Sequence, residues 1–362
     1  MSELRTPLPS KNFPWSTKNA SKHPRMDSLY DLTFTHLEDT LRDEGVKPVH
    51  AQKLYRYLYK DSVTLDDLTP GVRDWLSKRT TTKATVVRDI ASSDGYTRKF
   101  VLRFDDGQEI ETVLMGYRGR YTACISSQAG CAMGCVFCAT GKMGFKRHLS
   151  AGEMVAQVRF LNTHLASEGK EPLRNVVMMG MGEPLHNYKE LMTALEIISD
   201  PRGICIAPSR ISISTVGHIP GIKKLAEAGK AYELSVSLHG ASDVERDALI
   251  PVNKRWPIAD LLETCRIYSE KTERKVLIAW TLIEGANDSD DHATRLAQLL
   301  KGRQVHVNLI PLNPTEGFDG QPPSEERVLA FQRIIKETAK IPVTIRQRRG
   351  IDVGAGCGQL AG

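Results

Sequence analysis

Cys131, Cys135 and Cys138 stand at Cys-x3-Cys-x2-Cys spacing within Gly130–Gly141, a stretch that also holds Gly134. Glycine at that density favours neither helix nor strand, so the segment reads as a loop on which three thiolates can converge on one inorganic centre. A saturated iron–sulfur cluster takes four cysteines and a structural zinc takes four ligands. Three cysteines on a four-iron cluster would leave one iron with an open position for a substrate or cofactor. The alternative is zinc completed by His148, because Cys3His sites exist. Spacing alone leaves both open.

Four further cysteines differ in setting. Cys357 lies in Gly354-Ala355-Gly356-Cys357-Gly358, close to the end of the chain. A thiol among glycines reads as cargo on a mobile arm, able to visit a cavity and leave it, with a spare surface cysteine as the plainer alternative. Cys124 precedes the cysteine loop on the strand that enters it. Cys205 and Cys265 have apolar flanks and read as small core residues.

These side chains need a scaffold, and 362 residues suffice for one large core with appendages. With 41% apolar and 25% charged residues the composition is that of a globular protein. No apolar run approaches the roughly 18 residues of a membrane span, and the N-terminus lacks the apolar core of a secretory signal. An odd cysteine count with three clustered points to metal or redox chemistry in a reducing compartment, hence the cytoplasm. The net charge is +6. Residues 1–25 hold Arg5, Lys11, Lys18, Lys22 and Arg25 against Glu3 in a Pro-, Ser- and Asn-rich setting. They read as a disordered basic arm, either a solvated tail or a tether to a polyanion such as RNA.

Over 26–81 Leu29, Leu32, Phe34, Leu37 and Leu41, then Ala51, Leu54, Tyr55 and Leu58, recur at helical steps. This small helical domain carries Lys53, Arg56, Lys60, Arg73, Lys78 and Arg79, which could grip RNA phosphates or simply face solvent. Over 82–120 the period shortens to strands at 85–87, 99–104 and 110–114, with Asp94-Gly95 and Asp105-Asp106-Gly107 as turns, a β-hairpin extension. From 121 to 347 strands near 123–126, 175–179, 210–214, 232–237, 276–282, 306–310 and 343–346 alternate with helices near 151–165, 188–199, 219–229, 258–271, 289–302 and 324–338. Six βα units and a terminal strand define an α/β fold with a parallel sheet, doubly wound or curved into a barrel. No Gly-x-Gly-x-x-Gly opens a helix, which disfavours a dinucleotide fold. Residues 348–362 form the arm of Cys357.

Sites in parallel α/β folds gather at the carboxyl ends of the strands. There stand Gly180-Met181-Gly182-Glu183-Pro184, whose glycines allow a ligand close to the backbone and whose carboxylate suits an ammonium group. Ser214-Thr215 and Gly217-His218, Ser237-Leu238-His239 and Pro311-Leu312-Asn313 end later strands. Any one of them could be an ordinary strand cap, but together they make a polar rim over one cavity.

The motifs Cys124-Ile-Ser-Ser-Gln-Ala-Gly-Cys131 through Gly144-Phe145, Met178-Met-Gly-Met-Gly-Glu-Pro-Leu185, Ile213-Ser-Thr-Val-Gly217, Ser237-Leu-His239 and Ala355-Gly-Cys357-Gly-Gln-Leu360 stand in one order. In that order the chain resembles the radical S-adenosylmethionine RNA adenine methyltransferases, the RlmN/Cfr family, from about Met26 onward. Gly-Glu-Pro at 182–184 is similar to the branch methylating adenine C2 in 23S rRNA and tRNA. The branch methylating C8 of the same ribosomal adenosine tends to have alanine in place of Pro184.

The resemblance implies a partial (β/α)6 barrel over 121–347 and a 4Fe-4S cluster on Cys131, Cys135 and Cys138, which sets the zinc alternative aside. It implies S-adenosylmethionine, two molecules per turnover, held by Gly182, Glu183, Ser214, Ser237, Leu238, His239 and Asn313. Cys357 would be methylated by one molecule. A 5′-deoxyadenosyl radical from the second would take hydrogen from that methyl group, and the carbon radical would join the adenine. Glu111 matches the family's proton acceptor, and Cys124 would release the product by forming a disulfide with Cys357. The implied partners are 23S rRNA near the peptidyl transferase centre, the tRNA anticodon loop, and a flavodoxin or ferredoxin type electron donor. A cytoplasmic monomer is expected. The chain ends just past the Cys357 motif, where some relatives continue, which leaves the anchoring of the arm open.

Overall fold

The computed structural model describes residues 28–361. The basic arm expected over 1–25 lies outside the described residues.

The first unit is helical. Thr33 caps α1 (Phe34–Asp43) by accepting from the His36 amide at 3.3 Å. Its Phe34, Leu37 and Leu41 pack with Leu54, Tyr55 and Leu58 of α2 (Ala51–Tyr59) and with Val72 and Trp75 of α3 (Pro70–Ser77). The rings interlock, Phe34 on Tyr55 at 5.4 Å and Tyr30 on Tyr59 at 5.6 Å. Of the six cations picked out on this unit, Arg73 pairs with Asp66, Lys78 with Asp74 and Arg79 with Glu44. Lys53 and Arg56 remain on the exposed face.

Ten strands then make one sheet. β1 (Thr85–Ala91), β2 (Thr97–Arg103), β3 (Glu109–Tyr117) and β4 (Arg120–Cys124) run antiparallel in sequence. The expected hairpin extension is thus joined edge-on to the main sheet. From β4 the sheet turns parallel through β7 (Leu173–Met178), β8 (Ile211–Thr215), β9 (Glu233–Ser237), β10 (Val276–Leu282), β11 (Val305–Pro311) and β12 (Val343–Ile345). The crossover helices are α5 (Ala151–Ser167), α6 (Tyr188–Ser199), α7 (Ile219–Glu227), α9 (Ile258–Thr272), α10 (Asp290–Leu300) and α11 (Glu325–Ala339). Spatial order follows chain order without a reversal. A doubly wound sheet needs a reversal at its switch point, so this sheet takes the open, one-directional barrel arrangement.

Three features escape the sequence reading. A short pair, β5 (Gln128–Gly130) against β6 (Phe145–His148), brackets the cysteine loop and its one-turn α4 (Ala139–Lys142). It closes through Gly130 at φ 70°, where a Cβ would lie 1.9 Å from the Gly144 carbonyl oxygen. Only glycine fits there. Helix α8 (Asp243–Leu249) was missed because its one buried residue is Arg246, so no apolar period marks it. Cys265 is buried as expected, but Cys205 is exposed at φ 67° in a turn, so its apolar flanks misled. Among the described residues no helix is long and apolar enough to cross a membrane.

Candidate active site

The cysteine loop is stitched to its surroundings by backbone hydrogen bonds. The Cys131 amide donates to the Gly144 carbonyl at 3.0 Å and Val136 to Leu249 at 3.1 Å. Ala139 donates to Gly358 of the C-terminal arm at 2.8 Å. Cys131, Cys135 and Cys138 line one cavity of about 150 Å³ at the carboxyl ends of the parallel strands, room for on the order of ten water centres. Burial pushes the Cys131 thiol up to about 12, Cys135 well above its ordinary value, and Cys138 up as well. Such thiols ionise only against a concentrated positive charge, as in a metal centre.

His148 does not complete this group. It sits on β6 with its Nδ1 3.0 Å from Gln128 Nε2 and its ring 4.9 Å from that of His186, outside the cavity lining. Among the described residues no three His, Cys, Asp or Glu side chains converge on a point that would hold a single metal ion. The place of His148 disfavours a zinc site completed by that residue.

Across the cavity from the thiols stand Gly182, Glu183, Ser214, Ser237, His239 and Asn313. Glu183 is buried, and its carboxylate accepts from the Leu185 amide at 3.1 Å and from Val216 at 2.9 Å. Desolvation nevertheless raises its pKa to about 7. A cation placed in the cavity would restore the charge, as an ammonium ligand requires. Gly182 at φ 101° has Gln128 so close that a Cβ would lie 2.5 Å from its side chain. His239, in left-handed backbone at φ 58°, accepts from the Thr281 amide through Nδ1 at 2.8 Å. Burial pushes its pKa down to about 3, so the ring is neutral and carries its proton on Nε2. Asn313 Oδ1 is buried with no hydrogen-bond partner among the described residues, while its Nδ2 donates to the Cys357 carbonyl at 3.1 Å. Three thiols, a buried carboxylate and an orphaned amide oxygen around one space fit an iron–sulfur centre with an amino-acid-bearing ligand.

Leu238 is placed otherwise. Alternation at the end of β9 points Ser237 and His239 at the cavity and Leu238 into the core, where it is fully buried. Only its backbone acts, the carbonyl accepting from Arg246 Nε at 3.1 Å. Cys124 faces a second cavity that it shares with Arg346 and Cys357. Burial chiefly, and then the Cys357 sulfur, push the Cys124 thiol up to about 12, against the Arg346 guanidinium. Glu111 lines neither cavity. It is buried behind the arm, in an ion pair with Lys99 at 2.9 Å.

The Radical SAM superfamily matches residues 125–297. The dual-specificity RNA methyltransferase RlmN 1 of Myxococcus xanthus is 51% identical over 338 residues, spanning 92% of this chain and 94% of that protein. This chain belongs to the radical SAM RlmN family. A crystal structure of a radical SAM methyltransferase from Sphaerobacter thermophilus aligns with a TM-score of 0.87 at 44% identity, over 92% of this chain and 98% of that one. Membership in the family brings with it an iron–sulfur cluster and S-adenosylmethionine, which the residues just described fit.

Two arginines of this RlmN-family chain escaped the sequence reading. Arg346 lies at the end of β12 and lines both cavities, so the strand-end rule that found Asn313 would also have found it. Arg246, fully buried on α8, donates to the carbonyls of Leu238, Ser237 and Val216 and to Asn253 Oδ1 at 2.7 Å. It ties the ends of β8 and β9 together, and nothing in its local sequence announces that.

Proposed function

We propose that this chain is a radical S-adenosylmethionine RNA methyltransferase acting on adenine C2 of 23S rRNA and of a tRNA anticodon-loop adenosine. The observation that carries the reading is the place of Cys357, whose residue lines both the cavity of the three cysteines and the cavity of Cys124. One thiol thus stands between a site for cofactor and a second thiol.

Cys131, Cys135 and Cys138 would hold a 4Fe-4S cluster, whose chemistry when bound would be to supply the electron for reductive cleavage of S-adenosylmethionine. Glu183 receives the ammonium group of that molecule, and Gly182, Ser214, Ser237, His239 and Asn313 bind the rest. Cys357 would take its methyl group from one cofactor molecule and give up a hydrogen atom of that methyl group to the radical from a second. A radical route is required because adenine C2, an amidine carbon, is not nucleophilic. Cys357 presents its methyl group to the base, Glu111 takes the C2 proton, and the Cys124 thiolate attacks the Cys357 sulfur. The base adduct would give up its unpaired electron to the electron-transfer centre, the attack would form the S–S bond, and the electron pair of the broken S–C bond would leave with the product carbon, which takes a proton to become the methyl group. An external thiol reductant then restores both cysteines. The target base must be unstacked to reach the cavity, which suits single-stranded or folding RNA, and Lys53 and Arg56 offer contacts to its backbone. The electron comes from a flavodoxin or ferredoxin, and the enzyme works as a cytoplasmic monomer.

The test is mass spectrometry of adenosines in ribosomal and transfer RNA after anaerobic reaction with wild type and Cys357→Ala. The reading expects 2-methyladenosine that vanishes in the variant. An 8-methyladenosine product would reverse the choice of carbon, and cofactor cleavage without RNA methylation would overturn the substrate.

A further inference from the structure

Glu111 stands where a proton acceptor for RNA cannot yet be reached. Its Oε2 accepts from the Ala361 amide at 3.2 Å, and its Oε1 meets Lys99 Nζ at 2.9 Å. The same ammonium donates to the Gly354 carbonyl at 3.3 Å. Lys99 and Glu111 are both largely buried, with side-chain exposures of 11% and 3%. One ion pair therefore grips the arm on both sides of Cys357, three residues before it and four after. Upstream, the arm has an independent anchor, since Asp352 accepts from Ser92 Oγ at 2.9 Å and from the Ser93 amide at 2.8 Å. Gly354 at φ 62° and Gly358 at φ 86° supply hinges inside the gripped span.

We propose that Lys99 is a positioning residue that ties the charge on Glu111 to two seats of the thiol arm, at Gly354 and Ala361, so that a proton arriving on Glu111 loosens the arm there. This rests on the reading of Glu111 as proton acceptor. While Glu111 is ionised, both hydrogen bonds to it are charge-assisted and the arm lies closed over the carboxylate. Protonation removes the counter-charge of a buried ammonium, which then gains by moving toward water and releases Gly354. The Ala361 bond weakens in the same step. The seats at Gly354 and Ala361 loosen at the point in the reaction when Cys124 must attack the Cys357 sulfur, while Asn313 still holds the Cys357 carbonyl at 3.1 Å.

The test uses the full-length, anaerobically reconstituted protein without RNA. Hydrogen–deuterium exchange of the 354–361 segment and iodoacetamide alkylation of Cys357 are followed by mass spectrometry. Glu111→Gln mimics the protonated carboxyl, and both readouts should quicken by about tenfold, the worth of one lost charge-assisted bond. Lys99→Arg should keep the arm closed. Lys99→Met/Glu111→Gln, which buries no unpaired charge, should be as open as Glu111→Gln and no more, because the two act through one link. Thermal melts confirm that each variant is folded. Rates for Glu111→Gln within about twofold of wild type, or effects that add in the double variant, overturn the proposal. If Glu111→Gln opens the arm while the wild type methylates no RNA, the proposed function fails and the Lys99 link stands. If Glu111→Gln loses RNA methylation with the arm still closed, the link fails and the function stands.

Discussion

Replacing Glu183 by Gln separates the two demands on that carboxylate, which is costly when the cavity is empty and required when it is filled. In the empty protein its pKa is about 7, raised from 4.5 by burial. A carboxyl raised in the folded state stabilises the fold below its unfolded pKa, and that contribution is lost as pH rises through the folded value. Between pH 5 and pH 8.5 the wild type should therefore lose about 2.5 kcal/mol that Glu183→Gln does not lose. No screening discount applies, because Glu183 is 2% exposed. Gln can satisfy only one of the two amides now served, by Leu185 and Val216, which sets the variant back by about 1 kcal/mol at every pH. The pH slope is thus the decisive quantity. Thermal melts of cluster-free, cofactor-free protein should show the difference between wild type and variant moving by about 3–4 °C over that range. Calorimetry with S-adenosylmethionine should show affinity falling at least about tenfold in the variant at pH 8, since an ammonium in the cavity loses its counter-charge. Parallel pH profiles for the two proteins would refute the burial argument. Unchanged affinity would refute the assignment of Glu183 to the ammonium group.

Burial raises the Cys124 pKa and the Arg346 guanidinium opposes part of that rise, so Arg346→Met should slow Cys124–Cys357 disulfide formation under a mild oxidant, followed by mass spectrometry, with Lys restoring part of the rate. An unchanged rate would remove Arg346 from the thiol chemistry. Gly182→Ala forces a Cβ to within 2.5 Å of Gln128 at φ 101°. It should cost about 2 kcal/mol in denaturant melts and displace the Glu183 backbone enough to weaken cofactor binding. Arg246→Met leaves the Leu238, Ser237 and Val216 carbonyls without their shared donor. A loss of about 3 kcal/mol in the same melts is expected, and a neutral outcome would show that water replaces the guanidinium.

What was legible in the sequence is what repeats or clusters. Six βα units show as alternating periods, and the observed strand from 276 to 282 and helix from 188 to 199 fall on the expected bounds. The thiols, Gly182, Glu183, Ser214, Ser237, His239 and Asn313 line one cavity, as expected where side chains gather at the carboxyl ends of parallel strands. The misses share a physical cause. Leu238 was taken with its motif, although alternation along a strand lets adjacent residues serve opposite faces. Arg246 works through backbone carbonyls brought together by folding, and Lys99 works through a residue twelve positions later and another at the far end of the chain. A sequence shows which groups could react. It does not show which of them the fold keeps covered, and Glu111 lies under the arm that carries Cys357. The anchoring of the arm, open in the sequence, lies in seats on Ser92, Ser93, Lys99, Glu111, Asn313 and Thr140. Most of these hold backbone atoms of the arm. An arm gripped by its main chain leaves its one thiol free for the cycle of methylation and disulfide formation proposed for it, and that division of labour would account for Cys357 sitting among glycines.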